Sequence, residues 1–255
     1  MSRLRVFLTS AVANPFLLGI LFAAAFVGAG WITSGTVQIL TFVLIAAIFA
    51  QSINLLTGLA GQISLGHAGF FGIGAYASGV LTKTYQFDVA LSVPCATMLA
   101  TVCAYFLSFP AGRVREVYLA MMTLGFGMIF YEIVREWNDV TGGTMGLSGV
   151  PSTTLRNLTI LGMKIDAVDY FRIMLVLTVL LLWLLRNLTQ SRIGRAFFAI
   201  HHNEFAAGSI GISRRGTKRL AYALSGALAG LAGGFYAHLV GYLGPESFGL
   251  QRSIE

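Results

Sequence analysis

The feature that most constrains this sequence is a succession of long apolar runs that follow one another with few charged residues inside them. An α-helix of about 20 apolar residues spans the hydrocarbon core of a bilayer. Only 11% of the residues are charged and 56% are hydrophobic, whereas a typical soluble domain is about 25% charged. This composition excludes an ordinary soluble globule. We therefore predict an all-α polytopic membrane protein, with residues 1–255 forming one transmembrane domain.

The apolar runs predict about seven transmembrane helices. Their approximate ranges are 14–33, 36–56, 64–83, 88–109, 116–135, 169–186 and 218–242. The third range is rich in glycine, which lowers both its helix propensity and its hydropathy. It is predicted either as a crossing helix or as a re-entrant segment.

Basic residues outnumber acidic ones, 17 to 10, and they lie between the apolar runs. We interpret them as determinants of topology rather than as a nucleic-acid-binding surface, so no nucleic-acid partner is expected. If the third span crosses and the N-terminus is cytoplasmic, the basic cluster between 186 and 219 faces the cytoplasm, as the positive-inside rule requires. The alternative topology has a re-entrant third segment and an N-terminus outside.

Two predicted loops are long enough to hold more than a turn. Residues 136–168 are polar and external in the preferred topology, where they could fold over the entrance to the membrane part. Residues 187–217 are basic and cytoplasmic. Within them, the pattern from Arg195 to Ile212 predicts a short amphipathic helix, with Gly211 as its stop. Such a helix either lies on the bilayer surface or docks into a partner's groove.

The sequence lacks its own means of hydrolysing ATP. A P-loop ends in Gly-Lys, but the three lysines follow Thr82, Met163 and Thr217. No catalytic residue and no set of metal ligands is predicted. If the chain is a transporter, its energy comes from a partner, an ion gradient or downhill flow. Glu132, three residues before Arg135, is predicted to form an interfacial ion pair. A proton or substrate site is the alternative for this carboxylate.

Polar residues and glycines around the start of the third span are candidates for a translocation path, because glycine allows the backbone to unwind beside a polar solute. The candidates are Asn54, Gly58, Gly61, Gln62, Ser64, Gly66 and His67. The alternative is that they form hydrogen bonds between helices. Ser64 and His67 would share a helix face, where they could imitate a hydrolytic dyad.

The last span has a stripe of small residues. Gly226, Gly230 and Gly234 recur at every fourth position, which predicts a face for close helix packing. This face packs either on another helix of the chain or on a sister subunit.

Three sequence blocks carry a family resemblance. They are LTGLAGQISLGHAGFFGIGAY from Leu56 to Tyr76, TGGTMGLSGVP from Thr141 to Pro151 and RIGRAFFAIHHNEFAAGSIGI from Arg192 to Ile212. In this order they resemble the permease subunits of ATP-binding-cassette importers for branched-chain amino acids, of the LivM and LivH type. The second block leans towards LivM.

The resemblance implies a permease of the bacterial inner membrane that moves branched-chain or related small amino acids inward by alternating access. It also implies a second permease subunit, two ATP-binding subunits that hold ATP and Mg, and an extracytoplasmic solute-binding protein. No cofactor is expected on this chain itself. Urea, short amides and other small carboxylates are alternative solutes, since relatives transport these. A channel without an ATPase, or a proton-coupled transporter, is the alternative from another class.

Residues 187–217 resemble the EAA loop of that family, whose coupling helix fits a cleft in the ATPase subunit. The matching positions are Gly194, Arg195, Glu204, Ala206, Ala207 and Gly211. The resemblance implies close approach at the two alanines and a charged anchor at Glu204. His201 and His202 depart from the family pattern, which often has an arginine and an acidic residue there. Relatives also usually continue beyond a segment like the last residues here, so we expect a truncated or shortened permease.

Overall fold

The computed structural model describes residues 33–111, 116–153, 158–160 and 163–248, together with Phe26 and Gly30. The predicted first span, 14–33, lies almost entirely outside the described residues. Within them the chain forms a bundle of helices, which confirms the all-α membrane class. Five of the described helices are long and apolar enough to cross a bilayer.

Among the described residues the bundle has six long helices, and each overlaps one of the predicted spans from the second to the seventh. They are α1 (Ser34–Ile53), α2 (His67–Lys83), α3 (Val89–Ala111), α4 (Glu116–Glu136), α6 (Ala167–Gln190) and α9 (Arg214–Val240). A π-helical turn, Asn54–Leu59, extends α1. The shorter helices are α5 (Asn138–Thr141), α7 (Arg192–His202) and α8 (Glu204–Ser209), with 3-10 turns at Gly143–Met145 and Pro245–Phe248. Four two-residue strands are β1 (Leu147–Ser148), β2 (Thr159–Ile160), β3 (Met163–Lys164) and β4 (Tyr242–Leu243).

Helix α9 lies at the centre of the bundle and packs against α1, α2 and α3. Local signals define both of its ends. At the start, the Ser213 hydroxyl accepts a hydrogen bond from the Gly216 amide, as an N-cap serine does. At the end, Gly241 has a φ of 78°, a left-handed conformation that terminates helices and that glycine adopts without steric cost.

Helix α2 runs parallel to α9 from one end of the bundle to the other. Near the start of α2, His67 lies in hydrogen-bond contact with Ser225; nearer its end, Ser78 contacts His238. A re-entrant segment would return to the side from which it entered, whereas α2 follows α9 across its depth. The course of α2 therefore favours a crossing helix over the re-entrant interpretation. With 17 residues, α2 is about 25 Å long. It is therefore shorter than each of the five helices counted above.

The glycine stripe of α9 faces α3, which runs antiparallel to it. A Cβ atom at each of these glycines would press against one side chain of α3. The pairs are Gly226 with Ala104, Gly230 with Ala100 and Gly234 with Val93. The predicted packing face is thus used within the chain. Two more glycines, Gly74 of α2 and Gly233 of α9, bring the backbones of those two helices into contact.

The segment predicted as an external loop is held against the end of α9. Strand β1 pairs with β4 in antiparallel register, with Leu147 opposite Leu243. The Thr153 amide donates to the carbonyl of His238, and the Tyr76 hydroxyl donates to that of Leu243. A second antiparallel pair joins β2 to β3 nearby in sequence. The loop is therefore anchored to α2 and α9 at one end of the bundle.

Candidate functional site

The helices α1 and α2 are separated by a break, which we define as residues 54–66. The break begins with the π-helical turn and continues as non-helical backbone up to Gly66, where α2 starts at the next residue. Gly61 has a φ of 66°, which favours glycine at this bend. Because α2 begins only at His67, Ser64 lies outside the helix. The prediction that Ser64 and His67 share a helix face is wrong.

His67 joins three helices through one ring nitrogen. Its Nε2 atom lies 3.0 Å from the Ser52 hydroxyl of α1 and 3.1 Å from the Ser225 hydroxyl of α9. Both hydroxyls already donate to carbonyls, Ser52 to that of Phe49 and Ser225 to that of Ser52. We therefore infer that Nε2 carries the proton and donates to the two oxygens. The expected hydrogen bond between helices is confirmed, and Ser64 takes no part in it.

Three buried polar atoms within the six residues 62–67 have no hydrogen-bond partner in the protein. They are Gln62 Oε1, Ser64 Oγ and His67 Nδ1. Each of these atoms can accept a hydrogen bond, given the tautomer of His67 assigned above. Buried polar groups are usually paired, so such a concentration in one short segment calls for an explanation. Residues 62–67 thus hold three of the four buried side-chain polar atoms that lack a partner within the described part of the chain.

The break is held in place from the side of α4. The amide of Leu65 donates to the Thr123 hydroxyl over 3.0 Å, and a Cβ at Gly66 would collide with the Thr123 carbonyl.

The path candidates differ in their exposure. Asn54 and Gly58 are exposed, and the Asn54 side chain folds over Gly58. The structure therefore buries Gln62, Gly66 and His67 and leaves Ser64 partly exposed. Asn54 and Gly58 lie at the surface, although their neighbours Leu55 and Leu56 are buried.

The predicted amphipathic helix in residues 187–217 is two helices, α7 and α8, rather than one. Asn203 separates them, with extended backbone and a side-chain oxygen that accepts from the amides of Phe205 and Ala206. Asparagine is a favoured N-cap residue, so it starts a second helix instead of continuing the first. Ser191 caps the start of α7 in the same way.

The apolar side of α7 packs against this chain. Phe197 is fully buried in a cluster with Leu55, Leu56 and Tyr222. The buried apolar side of α7 therefore packs within the chain, an arrangement that neither alternative considered from the sequence included. Exposed apolar side chains of this segment lie on both helices and after them. Ile193 and Phe198 of α7 are 41% and 40% exposed, whereas Phe205 is 80% exposed and Ile210 is 75% exposed.

The remaining coupling-loop positions have distinct local roles. A Cβ at Gly194 would collide with carbonyls at the end of α6, so glycine permits the tight turn into α7. Arg195 donates to the carbonyl of Gln190 within the same turn. Ala206 is exposed whereas Ala207 is buried, and Gly211 has a φ of 87° with no atom near its Cβ position.

Glu204 is bound within this chain. Its Oε2 atom lies 2.8 Å from the Nζ atom of Lys218, at the start of α9. The Lys218 side chain is almost completely buried, while that of Glu204 is partly exposed. The resemblance suggested a charged anchor for a partner, but the structure shows an ion pair that ties α8 to α9.

The break and α7 touch at Gly61 and His201. A Cβ at Gly61 would lie 2.9 Å from the Cδ2 atom and 3.2 Å from the Cα atom of His201. Sequence analysis missed this contact, since 140 positions separate the two residues and no local pattern connects them. It places the predicted coupling segment directly on the candidate translocation segment.

Two further sequence predictions concern acidic residues and metals. Glu132 and Arg135 lie 3.9 Å apart on the exposed side of α4, which confirms the ion pair. In the described part of the chain, no three His, Cys, Asp or Glu side chains gather in a way that could hold a metal ion.

A cavity of about 150 Å³ lies between α1, α2, α9 and the 3-10 turn Pro245–Phe248. Its wall is mostly aromatic and includes Phe49, Phe71, Tyr236 and Phe248. Sequence analysis did not predict this cavity, because its wall comes from four separate segments of the chain.

Comparison with known proteins places these features in context. Residues 35–255 match the family described as "Branched-chain amino acid transport system / permease component". The chain is 33% identical over 265 residues to the high-affinity branched-chain amino acid transport system permease protein LivM of Escherichia coli K12, covering 96% of this chain and 59% of that relative. The LivM protein of Salmonella typhimurium LT2 is 32% identical, with 98% and 60% covered.

A more distant similarity reaches an import system for another solute. The autoinducer 2 import system permease protein LsrC of Salmonella typhi is 28% identical over 155 residues, which are 60% of this chain and 42% of that relative. The chain thus spans about 60% of the length of the LivM relatives that it matches. No solved structure shows a significant match to it.

Proposed function

The chain belongs to the family of branched-chain amino acid transport permeases, and from this premise we propose that it is a permease subunit of an ATP-binding-cassette importer. In this proposal it moves branched-chain or related small amino acids across the bacterial inner membrane by alternating access. ATP is hydrolysed on two partner subunits that carry ATP and Mg. A second permease subunit and an extracytoplasmic solute-binding protein complete the assembly.

The observation that carries the proposal is the position of α7 and α8. Phe205 and Ile210 extend from the end of the bundle as exposed apolar side chains, with the Arg214 guanidinium 5.3 Å from the Phe205 ring. Protruding aromatic residues are the usual anchors of protein interfaces. On the inner side, α7 packs on the break through Phe197 and His201. A partner that moves this segment therefore acts directly on the candidate translocation path.

A second candidate keeps the machinery and changes the solute. The similarity to LsrC, whose name gives autoinducer 2 import, favours this possibility. Urea, short amides and other small carboxylates belong to the same candidate. A proton-coupled transporter has less support, because the carboxylate proposed for it, Glu132, is exposed and paired with Arg135.

The test is co-purification of the chain from its native host in mild detergent, with identification of the proteins that accompany it. We expect an ATP-binding subunit to co-purify with the wild type and to be lost from Phe205→Asp. Replacing an anchor residue of an interface typically lowers the binding free energy by about 2 kcal/mol or more. Met145→Asp is the matched control, since Met145 is 84% exposed on the loop at the opposite end of the bundle. This control should retain the ATPase.

Two results would contradict the proposal. The absence of any ATP-binding subunit from the folded wild type would remove the importer assignment. Equal loss of the subunit in both variants would show that α8 is not its docking site.

A further inference from the structure

The cavity between α1, α2 and α9 has the properties of a site for a small apolar group. Its aromatic rings pack on one another, with ring centroids 5.0 Å apart for Phe49 and Phe71 and 5.3 Å apart for Phe71 and Tyr236. These contacts hold the wall while leaving about 150 Å³ of space. An apolar cavity of about this volume accommodates a molecule the size of benzene, which is larger than an isopropyl or isobutyl group.

The cavity is accessible from one side of the bundle. Phe42 and Ala46 belong to its wall and lie on exposed positions of α1. Ile45 and Ala68, also in the wall, are buried. An apolar group can thus enter past α1 and reach a closed inner end, which is the usual form of a small-molecule site.

The inner end of the cavity adjoins the unsatisfied polar segment. Ala68, in the wall, follows His67 directly, and the ring of Phe49 lies 5.8 Å from the imidazole of His67. The apolar space therefore lies beside the hydrogen bonds by which His67 joins α1 to α9.

We propose that the cavity receives the apolar side chain of the transported amino acid. This inference rests on the proposed function and extends it, because it names the part of the permease that recognises an apolar side chain. The ligand class is a zwitterionic amino acid with a branched or short unbranched aliphatic side chain. Solutes without an apolar group gain nothing from the aromatic wall.

The experiment compares leucine and alanine uptake by cells of the native host that carry variants of this chain in the complete transporter. Ala46→Leu adds volume at the mouth of the cavity. Because Ala46 is exposed, we expect this variant to keep its fold. Ala50→Leu is the matched control, because it makes the same change one turn further along α1 on an exposed residue outside the cavity wall. Because each variant is compared with the wild type for the same solute, the ratio of variant to wild-type uptake reports on the permease rather than on delivery of the solute.

We expect Ala46→Leu to reduce leucine uptake about tenfold or more and alanine uptake much less, since a small change of fit in an apolar pocket changes discrimination by about 10- to 200-fold. Ala50→Leu should leave both rates near those of the wild type. Equal effects on the two solutes, or no effect, would overturn the cavity assignment and leave the permease assignment standing. Failure of the wild type to take up either amino acid in an ATP-dependent manner would instead overturn the proposed function, and this inference with it.

Discussion

At the scale of single residues, glycines decide how closely the central helices approach. Gly230 illustrates this, because it faces Ala100 of α3 while its own backbone lies against Gly74 of α2. Any side chain at Gly230 would separate α9 from one of these helices. Small residues at helix interfaces allow the close packing on which membrane helices depend.

We predict that Gly230→Ala destabilises the protein by about 1–3 kcal/mol, the usual cost of overpacking a tight interior. Gly125→Ala is the control, since no atom lies near the Cβ position of Gly125. That change should be neutral, or stabilising by up to about 1 kcal/mol through helix propensity. Thermal unfolding of the purified variants in detergent measures both effects. Equal unfolding temperatures would contradict the packing argument.

The ion pair of Glu204 and Lys218 leads to a second prediction at this scale. Glu204→Ala leaves the buried Lys218 ammonium without its partner, which costs about 1–3 kcal/mol. Replacing both residues, as Glu204→Ala with Lys218→Met, should recover most of that loss because no buried charge remains. Hydrogen exchange of residues 204–218 reports the local stability.

The same pair of variants separates an internal role of Glu204 from a role in partner binding. If the pair acts within the chain, the double variant regains binding of the ATP-binding subunit along with its local stability. If Glu204 anchors the partner directly, the double variant stays as deficient in co-purification as the single one. The second result would restore the role that the family resemblance suggested.

At the scale of elements, α7 lies between the exposed α8 and the break. Its buried side contacts the break at Leu55, Leu56 and Gly61, and its C-terminal end leads through Asn203 into α8. A displacement of α8 is therefore transmitted to α7, and from α7 to the residues preceding His67. Short, directly packed connections of this kind carry coupling between sites.

We predict that Gly61→Ala uncouples ATP hydrolysis from uptake without preventing assembly, because the added Cβ pushes His201 and α7 away from the break. Gly211→Ala is a matched control, since Gly211 also has a positive φ but no atom lies near its Cβ position. Both changes carry similar backbone strain of about 1–2 kcal/mol. Coupling energies are typically about 1–3 kcal/mol, so uptake per assembled complex should fall about fivefold or more in Gly61→Ala alone. Similar losses in both variants would attribute the effect to strain.

At the scale of the whole molecule, the contacts separate two ends of the bundle. One end holds the break with α7 and α8, and the other holds β1, β4 and the loop anchored to α9. Helix α2 runs from one of these ends to the other. Its course therefore determines at which end each later element of the chain lies. The positive-inside rule then assigns the end with the basic residues of 186–219 to the cytoplasm.

This arrangement predicts the labelling of single cysteines by a maleimide that does not cross membranes. Cys95 and Cys103 are free and are first replaced by alanine. Tyr85→Cys and Met145→Cys, at exposed positions of the end that holds β1 and β4, should react in intact spheroplasts. Ile210→Cys should react only after permeabilisation. Labelling of Tyr85→Cys on the same side as Ile210→Cys would mean that α2 does not cross.

The sequence by itself determined the fold class and the long helices. Hydropathy is a local property of each segment, so the predicted 116–135 and 88–109 lie close to the observed Glu116–Glu136 and Val89–Ala111. Local spacing also identified the glycine stripe of α9 and the ion pair of Glu132 with Arg135. For the same reason the motif blocks were sufficient to indicate the permease family.

Only the tertiary structure decided how distant segments meet. The pairing of Glu204 with Lys218, the contact of Gly61 with His201 and the aromatic cavity all join parts of the chain that are separate in sequence. Helix α8 depends on the cap at Asn203, and the crossing of α2 is apparent only beside α9. Such features follow from the packing of complete helices against one another, which the pattern within any single segment does not contain.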